Sequence, residues 1–284
     1  MKRIGIIVFF IAILSIGAWG QAIPRESQKQ TITQSIGDGS VSIVYHRPNL
    51  KGRTVFGDLE PYGKVWRAGA NDNTIFEVGS DVTIDGKPLP KGKYGLHMIP
   101  GKTDWIVIFS KDNDKWGSFS YKEENDAVRV TVKAQKMPAH ESLEYTFEDV
   151  SLNSARVVLR WEKVAVPFTV DLGDVAGRTM AQIHDAVKNR KPEDLGPLSR
   201  GMNFVVTFKV KDSYEEALGW IDTLVAARET YLNLYFKARL LALMGRTDQA
   251  IAAGEKAVEI GKAANPPAFT RDAEILLKEW KSKK

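Results

Sequence analysis

Cysteine is absent from the 284 residues. That excludes disulfides, thiolate metal sites, a cysteine nucleophile and a lipidated N-terminal cysteine, so the folded chain must be held by its hydrophobic cores alone. Histidine is scarce, with four copies, and none has the spacing of a metal motif. His46 and His97 fall on different predicted strands, while His140-Glu141 lacks the second histidine of a zincin helix and reads as a surface turn. Asp112, Asn113 and Asp114 begin like a calcium loop, but Trp116 stands where the third oxygen ligand belongs, so a hairpin turn is expected there. Gly-x-Ser-x-Gly, Ser-x-x-Lys and Walker patterns are all missing. No metal and no cofactor are expected.

Lys2 and Arg3 precede an uncharged apolar run from Ile4 to Ile16, followed by Ala18-Trp19-Gly20. This is the order of a basic region, an apolar region and a signal-peptidase site. Residues 1–22 are therefore expected to be a signal peptide, the protein periplasmic or secreted, with no stable membrane span after cleavage near Gln21 or Ile23. A retained anchor is the alternative, because the run approaches the ~18 residues that cross a bilayer. The formal charge of +5 falls to +3 without Lys2 and Arg3, and the remaining charges alternate in sign along the chain. With no basic stripe, nucleic acid is not an expected partner.

From Val41 to Val170 the apolar residues recur with period two, as in Val128, Val130 and Val132, then Leu143, Tyr145 and Phe147, then Val157, Leu159 and Trp161. Such runs are strands with one wet face. The pattern predicts about nine strands: Val41–His46, Thr74–Val78, Val82–Ile84, Tyr94–Ile99, Trp105–Phe109, Val128–Lys133, Leu143–Asp149, Arg156–Trp161 and Val164–Val170. Two packed antiparallel sheets bury so many half-apolar strands most economically. Past Asp171 the period becomes helical, with Met180, Ile183, His184 and Val187 on one stripe, and Ser213 with Glu216 forming a capping-box pattern. Tyr214–Ala217 aligns with Thr247–Ala250 at an offset of 33, close to the ~34-residue tetratricopeptide period. That offset places Asn203–Val210 on a helix, although its Phe and Val content favours a strand. The expected fold class is α+β in two domains: an all-β antiparallel sandwich over 28–171 and a tetratricopeptide-like helical bundle over 172–284.

Between Tyr45 and Asn73 there is almost no periodicity, but there are Arg47, Arg53, Arg67, Trp66, Asn71 and several glycines. A structureless segment of this length in a compact domain is usually functional or disordered. Val55, Phe56, Leu59, Tyr62, Val65 and Trp66 supply the apolar surface that pins it to a core. The blocks YHRPNLKGR, FGDLEPYGKVWRAGAN, GKYGLHMIPG and DWIVIF resemble the signature of domain-of-unknown-function family 2911 across Val41–Val170. The resemblance implies an exported bacterial β-domain, often followed by tetratricopeptide-like helices, and brings no activity or catalytic residue with it. Position 46, a small hydroxyl residue in the family pattern, is His here.

Arg47, Arg53, Trp66, Arg67 and Asn71 are the candidate ligand-binding residues: stacking face, fixed-fork cations and amide are close in sequence. They support an exported, non-catalytic binding or scaffold protein whose β-domain recognises a small polar, anionic or glycan ligand and whose helices contact a protein partner. An envelope hydrolase using a carboxylate near Trp66 and Arg67 is the first alternative, with Asp58, Glu60, Asp72 and Glu77 available. A structural module, with the arginines spent on internal pairs, is the second. Where the three guanidinium groups point separates these readings.

Overall fold

The computed structural model describes residues 24–283. The expected signal peptide and its cleavage site lie outside the described residues. Ten strands come first: β1 (Gln28–Ile36), β2 (Gly39–Arg47), β3 (Thr74–Val78), β4 (Val82–Ile84), β5 (Lys87–Leu89), β6 (Gly92–Ile99), β7 (Asp104–Ser110), β8 (Asp126–Lys133), β9 (Gln135–Glu148) and β10 (Ser154–Asp171). They form a six-stranded sheet in the order β1-β2-β3-β6-β7-β8 and a four-stranded sheet in the order β5-β4-β10-β9. All pairings between strands are antiparallel.

The inner faces meet in one core, with Tyr45, Phe76, Leu96, Trp105 and Phe109 from the large sheet against Tyr145, Trp161 and Phe168 from the small one. The period-two pattern is thus the pattern of this interface. Two strands lack it. β1 is polar along most of its length and half-exposed at the sheet edge, and β5 has three residues, so neither leaves a periodic signal.

Three local expectations are corrected. Arg156–Trp161 and Val164–Val170 are one strand, β10, whose register against β9 shifts on either side of Glu162. The bulge breaks the alternation and so mimics a turn. His140-Glu141 is not a turn but the middle of β9. Asp112–Asp114 opens no tight hairpin; residues 111–122 make a longer excursion, tied down where Trp116 bridges Asp72.

Six helices follow: α1 (Val175–Lys188), α2 (Gly196–Phe208), α3 (Tyr214–Ala227), α4 (Tyr231–Leu243), α5 (Thr247–Ala263) and α6 (Arg271–Ser282). Asn203–Phe208 is helical, as the repeat offset requires, and the two aligned segments open α3 and α5. The capping box does not form, because Ser213 ends a 3-10 turn and its side chain caps nothing. Asp174 and Thr230 cap α1 and α4 instead, accepting from Gly177 and Asn233 at 2.8 and 3.2 Å. Met180, Met202, Val205, Trp220, Ile221 and Leu240 form a second core. The first core draws in Leu172 and Val175, beyond Asp171, and Arg178 of α1 makes a two-pronged ion pair with Asp38 at 3.0 and 3.1 Å. No described helix is long and apolar enough to cross a membrane.

Candidate functional site

Residues 48–73, between β2 and β3, fold back over one end of the sandwich and are fixed by long-range backbone bonds. Leu143 N–H donates to Pro48 and Leu50 N–H to Glu141, at 2.9 and 2.8 Å. Trp66 and Met98 exchange both backbone hydrogen bonds at 2.8 Å, a single antiparallel bridge that fastens the loop to β6. Ala68, fully buried, has a positive φ of 50°. Its strain is held by its carbonyl, which accepts the Thr74 and Tyr145 hydroxyls at 3.1 and 2.8 Å. Gly69 follows because a Cβ there would lie 2.6 Å from Thr74 Oγ1. Gly63 turns at φ 76°.

The candidate residues separate sharply. Trp66 does not offer a stacking face: it is 2% exposed, its ring stacks at 5.9 Å on Trp161, and its indole N–H donates to the Gly69 carbonyl. Its extended, bridged backbone explains this, since successive side chains of an extended segment point to opposite faces and Trp66 takes the core side. Asn71 also turns inward to the frame, its amide donating to the Ser27 carbonyl at 3.2 Å. Arg47 is consumed by β9, with Nε on the Leu143 carbonyl at 3.1 Å and Nη2 on Glu144 at 3.2 Å. Arg53 clamps its own turn through the Leu50 and Asn49 carbonyls at 3.0 and 2.7 Å. Arg67, opposite in direction to Trp66, makes no hydrogen bond or ion pair with any described residue, although its Nε is fully buried.

Arg53 and Arg67 meet in a cleft of about 360 Å³ that also contains Glu60, Lys51, Glu26, Leu59 and Trp161. Lys51 and Glu26 form an ion pair at its edge. Glu60 is the unusual group. Burial raises its carboxyl to about 7, against the pull of the Arg67 guanidinium, so it exchanges a proton near neutrality. A cleft with one uncommitted guanidinium and one half-protonated carboxyl can bind and orient an anionic oxygen pair. Glu26 and Trp161 carry no sequence signal for this role, because they reach the cleft from residues remote in sequence from its loop.

The histidines do not assemble into a metal site, and no described group of three or more His, Asp and Glu side chains could hold an ion. His46 lies 3.8 Å from Asp72 but is held below its usual range by burial. His97 is buried, lowered to about 4, and shares a 2.9 Å hydrogen bond with Ser118. The cavity beside that pair is about 10 Å³, room for roughly one water. The pair therefore fastens the 111–122 excursion to β6 and faces no substrate-sized space.

A family model described as "Protein of unknown function (DUF2911)" matches residues 27–170, which is the β region with the 48–73 loop and every cleft residue but Glu26. No curated protein and no solved structure matches the chain.

Proposed function

We propose, for a chain that belongs to the DUF2911 family of proteins of unknown function, an exported, non-catalytic binding protein whose β region takes a small anionic ligand in the Arg67–Glu60 cleft. The observation that carries this reading is Arg67, which lines the concavity beside Glu60 and makes no hydrogen bond or ion pair with any described residue. A buried donor with no acceptor costs free energy. A carboxylate or phosphate in the cleft gives the cation the hydrogen-bonded counter-charge that the described residues do not, and the fixed fork of arginine suits two-pronged contact. Glu60, protonated on the acid side of about 7, donates to a second ligand oxygen; ionised, it repels the ligand.

The hydrolase reading is less well supported. Two-carboxyl hydrolysis needs a pair flanking the bond to be cleaved, and the other acid in this cleft, Glu26, is tied to Lys51. A rigid strut accounts for Arg47 and Arg53 but leaves Arg67 without a purpose. The basic–apolar–small order of residues 1–22 supports export, and exposed Leu232, Phe269 and Ile275 are the apolar side chains a protein contact on the helical half would use.

Calorimetric titration with uronates, sugar phosphates and short dicarboxylates, with neutral sugars as controls, tests the proposal. The expected result is saturable binding of at least one anion class, weakened tenfold or more by Arg67→Ala and unchanged by Arg47→Ala. No binding of any anion to the natural protein at millimolar concentration, or equal binding to Arg67→Ala, overturns it.

A further inference from the structure

A second concavity, of about 400 Å³, opens at the same end of the sandwich and shares no lining residue with the Arg67 cleft. Its floor is apolar: Phe56, Trp105, Met137 and Val164. Its rim is basic, with Lys102, Lys136 and Lys163 arriving from three separate segments, and no acidic residue lines it. None of these three lysines has an ion-pair partner among the described residues. One unpaired lysine is ordinary on a surface. Three around one apolar floor, with no ion pair to any described residue, give the rim a positive sign.

The pocket is also built. Glu162 sits at φ 56° in the β10 bulge, and its carboxylate accepts the backbone N–H groups of Val55 and Phe56 at 3.1 and 3.2 Å. That contact fixes the Phe56 ring edge-on to Trp105, 4.7 Å between centroids, and the same bulge turns Lys163 and Val164 into the rim and floor. A strained residue that shapes both walls is the sort of feature retained at binding sites. The volume lies in the ~300–1,000 Å³ range of small-molecule sites.

We propose that this pocket binds a single-chain anionic amphiphile, its hydrocarbon part on Phe56, Trp105 and Val164 and its carboxylate or sulfate head among Lys102, Lys136 and Lys163. The apolar floor selects the tail and the unpaired rim selects the sign of the head group. Neither a neutral nor a cationic amphiphile of equal chain length satisfies both.

The test uses the full chain without its first 23 residues. Decanoate, decyl maltoside and decyltrimethylammonium are titrated by calorimetry below their micellar concentrations, and phosphatidylglycerol vesicles are assayed by flotation. The expected result is saturable one-to-one binding of decanoate, at least tenfold tighter than either analogue. Lys136→Glu with Lys163→Glu should weaken it tenfold or more, whereas Lys64→Glu and Arg67→Ala should not. Thermal melts by circular dichroism confirm that the charge-reversed protein is folded; if it is not, Lys136→Gln with Lys163→Gln replaces it, with a severalfold loss expected. Equal binding of the neutral analogue, non-saturable partition or indifference to loss of the rim charges overturns the proposal. So does loss of decanoate binding in Arg67→Ala, which would move the ligand to the other cleft, and so does binding to vesicles alone, which would make the face a membrane contact.

Discussion

Glu162 holds Phe56 in place across the sandwich: its Oε2 accepts the Phe56 backbone N–H at 3.2 Å while also accepting that of Val55 at 3.1 Å. Val55 and Phe56 are both buried, while Glu162 is half-buried and reaches them from the strand bulge. Glu162→Ala should therefore strand two donors and lower stability by about 2–4 kcal/mol. Glu162→Gln keeps an oxygen acceptor and should cost less. Urea midpoints decide it; a loss below about 1 kcal/mol for the alanine variant would mean that the turn is held by its other contacts.

The three arginines of the loop should respond differently to removal. Arg67→Ala breaks no hydrogen bond with the described residues and should cost less than about 1 kcal/mol, from the packing of its half-buried stem and its attraction for Glu60. Arg47→Ala removes the donor to the Leu143 carbonyl and leaves Glu144 with His140 alone, a cost of about 1–2 kcal/mol for this partly exposed pair. Equal losses in the two variants would show that Arg67 is structural.

Glu60 should make stability fall with pH on the way to neutrality. Burial raises its carboxyl from 4.5 to about 7 in the folded chain, so between these values the folded state binds more protons than the unfolded one. Its contribution is complete below the unfolded value and is lost as pH rises through the folded value. Relative to the natural protein, Glu60→Gln should thus gain about 1–2 kcal/mol between pH ~4.5 and pH ~8. Parallel midpoints at both pH values measure the gain, and a pH-independent difference would place the titration elsewhere.

Val175 should matter to the sheets although it lies in a helix. It is fully packed in the β core, near Gly37, where an added Cβ would meet its side chain at 2.6 Å. Val175→Ala should cost about 1–2 kcal/mol. A fragment ending at Asp171 should melt below one ending at Lys188, since the longer one retains Leu172, Val175 and the Arg178–Asp38 pair. Identical melting of the two fragments would show that α1 adds nothing to the β region.

The sequence by itself determined the fold class. Alternation at Val128–Val132 and Leu143–Phe147, and the 33-residue offset between Tyr214 and Thr247, are local periodicities that survive in any environment, and they gave both the sandwich and the helix pairs. The offset even outweighed the strand propensity around Phe204. The 45–73 segment was legible as a polar, irregular loop pinned to the core, but not the direction of its side chains. Trp66 and Arg67 are adjacent in sequence, and the bridge of Trp66 to Met98 fixes the parity that puts the indole in the core while Arg67 lines the cleft. Nothing near Glu60 marks its raised affinity for a proton, because burial created it. Only tertiary structure gathered Lys102, Lys136 and Lys163 around Trp105, and only it turned a break in alternation at Glu162 from a turn into a bulge. Period depends on neighbours along the chain, whereas burial, pairing and the sign of a pocket depend on residues a hundred positions away.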